Sequence, residues 1–389
     1  MSSPSVELIV LSTFGLEAVV GRELKELGYE QYQIQDGRIS FTGDLKAICR
    51  TNLWLRSADR VLVKLGQFQA VDFGELFDRT EAIPWEEWIP KNGEFPVRCK
   101  SIKSELHSVP TCQSIVKKAI VKRLQQAYGV EWFSEDGPTY AIDVSIRNNE
   151  VVLALDTSGP GLHKRGYRKS VGLSPLKETL AAALVQLSYW NSERLLVDPF
   201  CGTGTILIEA AWIGYNRAPG LQRTFPSERW PNLKRELWTE ARIEAVDLQK
   251  KELQMPRMQG YDSDRRALGM ARLHAQEAGV ENDIHFQQQS FADFSTPHKY
   301  GCLITNPPYG IRSGEIEEAE EIYRQMGELF PRLDTWSKYV ITSHPHFEKL
   351  VGCEAGRRRK LYNGNIACTY YQFPGPRPPR SSESASVDR

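Results

Sequence analysis

A glycine-rich turn between an apolar strand and an apolar helix restricts this chain more than any other feature. RLLV runs into Asp198-Pro199-Phe200-Cys201-Gly202-Thr203-Gly204-Thr205, and ILIEAAW follows. Such a turn lets a ligand approach bare backbone, and the helix N-terminus favours a negative group there. Three cofactor classes use turns of this kind. ATP wants G-x-x-x-x-G-K-[ST], and no lysine follows here. A dinucleotide wants G-x-G-x-x-G, but after Gly202 and Gly204 the third position is Leu207. S-adenosylmethionine carries a carboxylate and an ammonium instead of a pyrophosphate. Asp198, at the strand end, suits that ammonium directly or through water. A tight turn with no ligand is the plainer alternative, and the turn alone does not exclude it.

The surrounding grammar supports the ligand. Beyond about residue 170, apolar strands and amphipathic helices alternate through RMQGYD, RRALGMARLHAQEAG, DIHFQQQ, YGCLITNPPYG, EIYRQMGELFPRL and KYVITS to ACTYYQF. This alternation predicts an open, mostly parallel sheet with helices on both faces. A Trp-, Pro- and charge-rich insertion interrupts it over residues 214–258. Asp262 closes the second strand, where an acidic side chain can accept both ribose hydroxyls; Asp264 is the neighbouring alternative. At the end of the third strand, many such folds place a carboxylate against the adenine amine. Ser290 stands there, with Asp293 three residues on. Ser290, Asp293 or neighbouring backbone can make that contact. The expected cofactor set is Asp198, Phe200, Cys201, Gly202, Thr203, Gly204, Thr205, Asp262, Ser263, Ser290, Phe291 and Asn306. Cys201 lies within the cofactor turn, which favours a packing role over a nucleophilic one.

Asn306-Pro307-Pro308-Tyr309-Gly310 ends the apolar strand CLIT. An exocyclic base amine is a poor nucleophile because its lone pair is delocalised into the ring. The Asn306 side-chain oxygen and the Pro307 carbonyl can each accept one N–H, favouring a pyramidal nitrogen. Pro307 and Pro308 remove competing donors and stiffen the loop. Tyr309 offers a ring for an extruded base. The sulfonium supplies the leaving group, so the chemistry asks for positioning and for no metal or strong base.

The 389 residues allow two to three domains, and Lys+Arg and Asp+Glu both number 49. A net charge of zero gives no global argument for nucleic acid, so any basic surface must be local. The seven cysteines form no C-x-x-C pair, which disfavours zinc and suits a reducing, cytoplasmic setting. MSSPSVELIV lacks the pattern of a signal peptide, and no apolar run is long enough to span a bilayer.

Upstream, residues 6–63 read as a small α+β unit: VELIVLST as a strand, Leu16 to Leu27 helical, Gly37 turning into Ile39 and Phe41, Leu45 to Leu55 helical, then RVLVKLGQF. Residues 70–157 form a second unit. EFPVRCKSI is a strand, QSIVKKAIVKRLQQAYG a helix stopping at Gly129, and TYAIDVSIRNNEVVLALDT a hairpin turning at Asn148-Asn149. SGPGLHKRGYR connects these to the catalytic part, and PGPRPPRSSESASVDR is expected to be disordered.

These residues resemble the THUMP-domain RNA methyltransferases that form N2-methylguanosine, over nearly the whole chain. VPTCQSIVKKAIVKRL is similar to the THUMP helix, and DTSGPGLHKRGYR to the end of that domain. SPLKETLAAALV resembles the family's helix before the first catalytic strand, placing Leu173, Pro175, Lys177 and Glu178 near the cofactor. DPFCGTGTILIEAA and NPPYG match strongly, while NRAPGLQRTFPSERWP and RKLYNGNIACTYYQF resemble the bacterial 23S ribosomal RNA members. The resemblance implies an α/β chain: a ferredoxin-like α+β unit (1–65), a THUMP RNA-binding domain (66–157), a Rossmann-like methyltransferase domain (158–373) and a tail (374–389). It implies guanine-N2 methylation of 23S ribosomal RNA, catalysed through Asn306, Pro307, Pro308 and Tyr309.

Local basic clusters fit phosphate binding: Arg98, Lys100 and Lys103; Lys117, Lys118, Lys122 and Arg123; Lys164, Arg165, Arg168 and Lys169, with Tyr167 for stacking; and Arg357, Arg358, Arg359 and Lys360. Structured RNA is the expected partner, with no membrane and no metal. Transfer RNA guanine-N2 methylation and DNA adenine-N6 methylation are rival activities, since the Asn-Pro-Pro-Tyr loop serves either amine. A nicotinamide-dependent dehydrogenase is disfavoured by Leu207, and a non-catalytic RNA-binding protein by the intact NPPY.

Overall fold

The computed structural model describes residues 5–168, 176–310 and 315–379. Expectations for Lys169, Leu173, Pro175 and the tail beyond residue 379 lie outside the described residues. In chain order the helices are α1 (Glu17–Glu26), α2 (Leu45–Trp54), α3 (Phe73–Glu81), α4 (Val109–Tyr128), α5 (Glu178–Gln186), α6 (Thr205–Gly214), α7 (Arg235–Asp247), α8 (Arg265–Ala278), α9 (Glu315–Leu329) and α10 (Phe347–Val351). The strands are β1 (Ser5–Ser12), β2 (Tyr32–Gln35), β3 (Arg38–Asp44), β4 (Ala58–Gln69), β5 (Val97–Ile102), β6 (Ile142–Arg147) and β7 (Glu150–Asp156). They continue with β8 (Leu196–Asp198), β9 (Met258–Asp262), β10 (Ile284–Gln288), β11 (Cys302–Thr305), β12 (Ser337–Thr342), β13 (Arg357–Asn363) and β14 (Ile366–Phe373).

The chain forms two compact units: residues 1–165 with 218–248, and residues 166–217 with 249–389. The first is built on one seven-stranded sheet, ordered β2-β3-β1-β4-β7-β6-β5. Antiparallel pairing of β4 with β7, from Leu62↔Asp156 to Gln69↔Glu150, joins the segments read as two units into a single sheet. The β6–β7 hairpin turns on Asn148 and Asn149, with φ of 52° and 66°. Both residues adopt the left-handed conformation that a tight two-residue turn demands. On α4, Cys112, Val116, Ala119, Ile120 and Leu124 are buried at helical spacing, and Gly129 (φ 62°) ends the helix. Helix α3 escaped the sequence reading because only Leu76 and Thr80 are buried on it. Its start is fixed locally, by the Glu75 N–H donating to Asp72 at 2.8 Å.

The insertion contributes to the core of this first unit. Trp230 stacks on Tyr140 at 4.6 Å and donates its indole N–H to the Thr139 carbonyl at 3.0 Å. The Gly220 N–H donates to the Leu53 carbonyl at 2.8 Å. Phe225, Trp230, Trp238 and Ala241 share one hydrophobic cluster with Leu53, Trp85 and Tyr140. Arg50 pairs with Glu244 on α7 at 2.7 Å.

The second unit carries the sheet β10-β9-β8-β11-β12-β14-β13. β8 through β12 pair in parallel, while β14 runs antiparallel to β12 and β13 antiparallel to β14. Strand β13, RRRKLYN, carries the basic cluster Arg357–Lys360 and does not read as a strand from its residues. It forms the sheet edge, where charged side chains discourage pairing with another chain. Among the described residues, no helix is long and apolar enough to cross a membrane.

Candidate functional site

Strands β8 and β11 are neighbours, so the loops leaving their C-terminal ends emerge side by side. Asp198 ends β8 and is buried. Its Oδ1 accepts the Thr305 hydroxyl at 2.6 Å and the Phe200 N–H at 3.1 Å. Burial pushes its carboxyl up to about 7, the charge of Asp262 acts the same way, and the two hydrogen bonds oppose them. A buried carboxylate in this position favours a cationic partner. Thr305, which the sequence reading did not single out, immediately precedes Asn306. One hydroxyl therefore links the acid at the first strand end to the loop at the fourth.

The turn after Asp198 has the form its glycines require. Gly202 and Gly204 adopt φ of 51° and 80°, where L side chains are strained. A Cβ on Gly204 would stand 2.9 Å from the Phe286 ring, whereas one on Gly202 would meet nothing within 4 Å. Gly204 thus serves packing, and Gly202 leaves an open approach to the backbone. Gly260 permits close contact between β9 and α6, since a Cβ there would lie 2.7 Å from Leu207 Cδ1. The dinucleotide motif puts its third glycine on the helix; here the helix supplies a leucine and the strand the glycine. Burial, with help from Asp198 and Asp262, raises the Cys201 thiol well above its ordinary range. That agrees with a packing role.

Asp262 accepts the Gly202 N–H at 2.8 Å on Oδ2 and the Asp264 N–H at 2.9 Å on Oδ1. It ties the two cofactor-side loops together and keeps lone-pair capacity on both oxygens. Asp264 caps α8, accepting the Arg266 N–H at 2.7 Å. Phe291 is buried and tilted against Phe200 at 5.0 Å, while Ser263, Ser290 and Asp293 are exposed. These residues fit S-adenosylmethionine: an open glycine backbone, a buried acid for its ammonium, and an acid at the second strand end.

The Asn-Pro-Pro-Tyr loop is held from β13 and α9. The Tyr309 hydroxyl donates to Asn306 Oδ1 at 2.5 Å and accepts the Asn363 side-chain N–H at 3.3 Å, from the end of β13. The Tyr323 hydroxyl on α9 donates to the Pro308 carbonyl at 2.7 Å and shares a hydrogen bond with Thr342 at 2.9 Å. Burial holds the Tyr309 phenol above its usual range and lifts Tyr323 to about 12. The Tyr309 ring, expected as a free stacking surface, is half-buried with its hydroxyl engaged by Asn306.

The basic clusters divide. Arg98, Lys100 and Lys103 are exposed on and just beyond β5, an edge strand, with Arg98 also paired to Asp156 at 3.6 Å. Lys118 is exposed on α4, beside a groove of about 510 Å³ lined by Pro96, Val97, Gln113 and Lys117. Lys117 is committed to Glu135 at 2.5 Å and lies 3.4 Å over the Phe95 ring. Lys122 pairs with Glu81, and Arg123 with Glu86. Lys164 is exposed.

Three connector residues depart from expectation. Arg165 is buried and donates to the carbonyls of Leu162 and Arg56, so it is not a phosphate ligand. Tyr167 is buried and donates to Glu209 at 3.1 Å, which removes it from base stacking. Arg168 turns inward to Thr205 and Glu178.

Counted within the second unit, the strand order is 3-2-1-4-5-7-6, with loops converging where strands 1 and 4 end. This is the architecture of an S-adenosylmethionine-dependent methyltransferase with a Rossmann-like fold. Residues 165–372 match the RMKL-like methyltransferase domain, residues 7–62 the RlmL ferredoxin-like domain and residues 70–156 the THUMP domain. The chain belongs to the RMKL-like methyltransferase family. It is 48% identical to YpsC of Bacillus subtilis, named provisionally as an RNA methyltransferase, over 94% of this chain and 95% of that one. It is 34% identical to ribosomal RNA large subunit methyltransferase K/L of Syntrophotalea carbinolica, covering 96% of this chain and 54% of the relative. The chain thus spans about half the length of the K/L proteins it matches. Among solved structures, SMU.472, named provisionally as a methyltransferase and complexed with S-adenosylhomocysteine, superposes with a TM-score of 0.92 at 41% identity, covering 97% of this chain and 100% of that one. A Listeria monocytogenes protein named as a predicted N6-adenine-specific DNA methylase superposes at 0.91 with 47% identity, covering 96% of this chain and 97% of that one.

Proposed function

We propose that this protein methylates the exocyclic N2 of a guanine in RNA, with 23S ribosomal RNA as the substrate. The observation that supports this is the Thr305 hydroxyl donating to Asp198 from the residue just before Asn306, so that Asp198 and Asn306 stand at adjacent strand ends. The THUMP segment supports RNA over DNA, and the K/L relatives support ribosomal RNA. When bound, S-adenosylmethionine supplies an electrophilic methyl and a sulfonium leaving group. Asp198 holds the cofactor ammonium, Asp262 the ribose hydroxyls, and the Gly202–Gly204 turn the approach to the backbone. Asn306 Oδ1 and the Pro307 carbonyl accept the two amine N–H groups and aim the nitrogen lone pair. Pro308 is anchored by Tyr323, which fixes the loop from behind. Tyr309 stacks on the base once its hydroxyl leaves Asn306. Exposed Arg98, Lys100, Lys103, Lys118 and Lys164 contact phosphates.

The test is incubation with labelled S-adenosylmethionine and separated 23S ribosomal RNA, transfer RNA and duplex DNA, followed by nucleoside digestion. N2-methylguanosine from 23S ribosomal RNA is the expected product. The same nucleoside from transfer RNA alone would move the substrate. N6-methyladenine from DNA would replace the proposal.

A further inference from the structure

The sequence places Arg168 among basic residues of a connector, where phosphate is the natural partner. The structure puts its guanidinium elsewhere. Its side chain is one-tenth exposed, and its NH1 lies 3.3 Å from Glu178 Oε1. Its NH2 donates to Thr205 Oγ1 at 2.5 Å and to the Leu176 carbonyl at 3.2 Å. Thr205 opens α6 directly after the Gly202–Gly204 turn. The arginine therefore stands beside the cofactor turn, at the helix end that favours negative charge. Its Nε–H is buried and meets no acceptor among the described residues. Buried donors are almost always paired, and one left open beside a ligand site implies an acceptor brought by the ligand.

We infer that Arg168 receives the α-carboxylate of S-adenosylmethionine. The amino-acid end of that cofactor carries one negative and one positive group. Arg168 and Glu178 present the complementary pair of charges side by side, and Asp198 adds a second acid. Arg168 and Glu178 cancel one another, so the extra acid matches the net positive charge that the sulfonium gives the cofactor. A guanidinium suits the task because its fixed fork keeps Thr205 and Leu176 while leaving the third N–H face for a carboxylate. The inference uses only the cofactor and holds whichever nucleic acid is the substrate.

Calorimetry with S-adenosylmethionine and with its decarboxylated analogue tests it, on the unsubstituted chain and on Arg168→Met and Arg168→Lys, with thermal melts of each. The unsubstituted protein should prefer the carboxylated ligand by about tenfold to a hundredfold, the range of a charge-assisted hydrogen bond. Arg168→Met should lose that preference while binding the decarboxylated analogue nearly as before, and Arg168→Lys should keep part of it. Equal weakening of both ligands would make Arg168 a prop for the turn and overturn the inference. Unchanged affinity for both, with reduced RNA binding, would return it to the phosphate-binding connector. Should Arg168→Met fail to fold, absence of ligand preference in the unsubstituted protein or in Arg168→Lys would still overturn it.

Discussion

Asp198 combines burial with a proposed role that needs charge, and this gives it a pH signature. Its carboxyl is raised from the ordinary 3.8 to about 7, chiefly by burial. Between those values the folded chain holds a proton that the unfolded chain has lost, so this group lowers stability as pH rises across that window. Cofactor binding runs the other way, because only the carboxylate meets an ammonium. Affinity for S-adenosylmethionine should climb as pH rises through 7 and level above it, with proton release visible as buffer-dependent heats in calorimetry. Asp198→Asn should bind weakly and show no such rise. Asn306 lies on the chemical side of the same connection. Asn306→Ala should leave cofactor affinity nearly unchanged and cost roughly 10²–10³ in single-turnover rate, by analogy with removal of one oxyanion-hole donor. Comparable loss of cofactor binding would move Asn306 into the cofactor pocket. The placing of Asp198 and Asp262 at strand ends, and of Asn306 just past one, was legible because apolar strands alternate readably with helices there. Thr305, Tyr323 and Asn363 were not: their partners lie 107, 15 and 54 residues away in sequence, and such pairings exist only once the fold is closed.

At the scale of elements, α9 carries a constraint on the Asn-Pro-Pro-Tyr loop. Tyr323 bridges the Pro308 carbonyl and Thr342 from a fully buried position. Tyr323→Phe keeps the packing and removes the anchor, so the fold should survive with a loss on the order of 1 kcal/mol. Methyl transfer should slow while cofactor affinity holds; an unchanged single-turnover rate would show the anchor to be dispensable. The legibility of elements followed their burial pattern. β1, α2 and α4 bury residues at regular spacing and were read near their observed bounds. β2 was missed because its four residues are exposed or only half-buried, and β13 because its strand character is hidden under RRRK. The insertion declared its tryptophans but not their destination, since Trp230 meets Tyr140 across ninety residues of chain.

For the whole molecule, the two units separate the tasks. The second holds the strand ends proposed to do the chemistry, while the exposed basic residues of β5 and α4 belong to the first. Lys100→Gln, Lys103→Gln and Lys118→Gln, made together in the full chain, should weaken RNA binding broadly. Each lost phosphate contact should reduce the salt slope by about one. Calorimetric cofactor affinity should not change. An unaltered slope would remove this face from the RNA contact.

The composition of the first unit, residues 1–165 with 218–248, also bears on how the chain is made. A nascent chain released from the ribosome as far as residue 165 has every strand of the first sheet but lacks Phe225, Trp230 and Trp238 of its core. About 80 more residues, including β8 and the cofactor turn, must be synthesised before that core closes. At roughly 5–20 residues per second, this leaves an interval of several seconds with apolar surface open. Chaperone engagement during translation should concentrate in this interval, and a permuted gene encoding 218–248 next to residue 165 should shorten it.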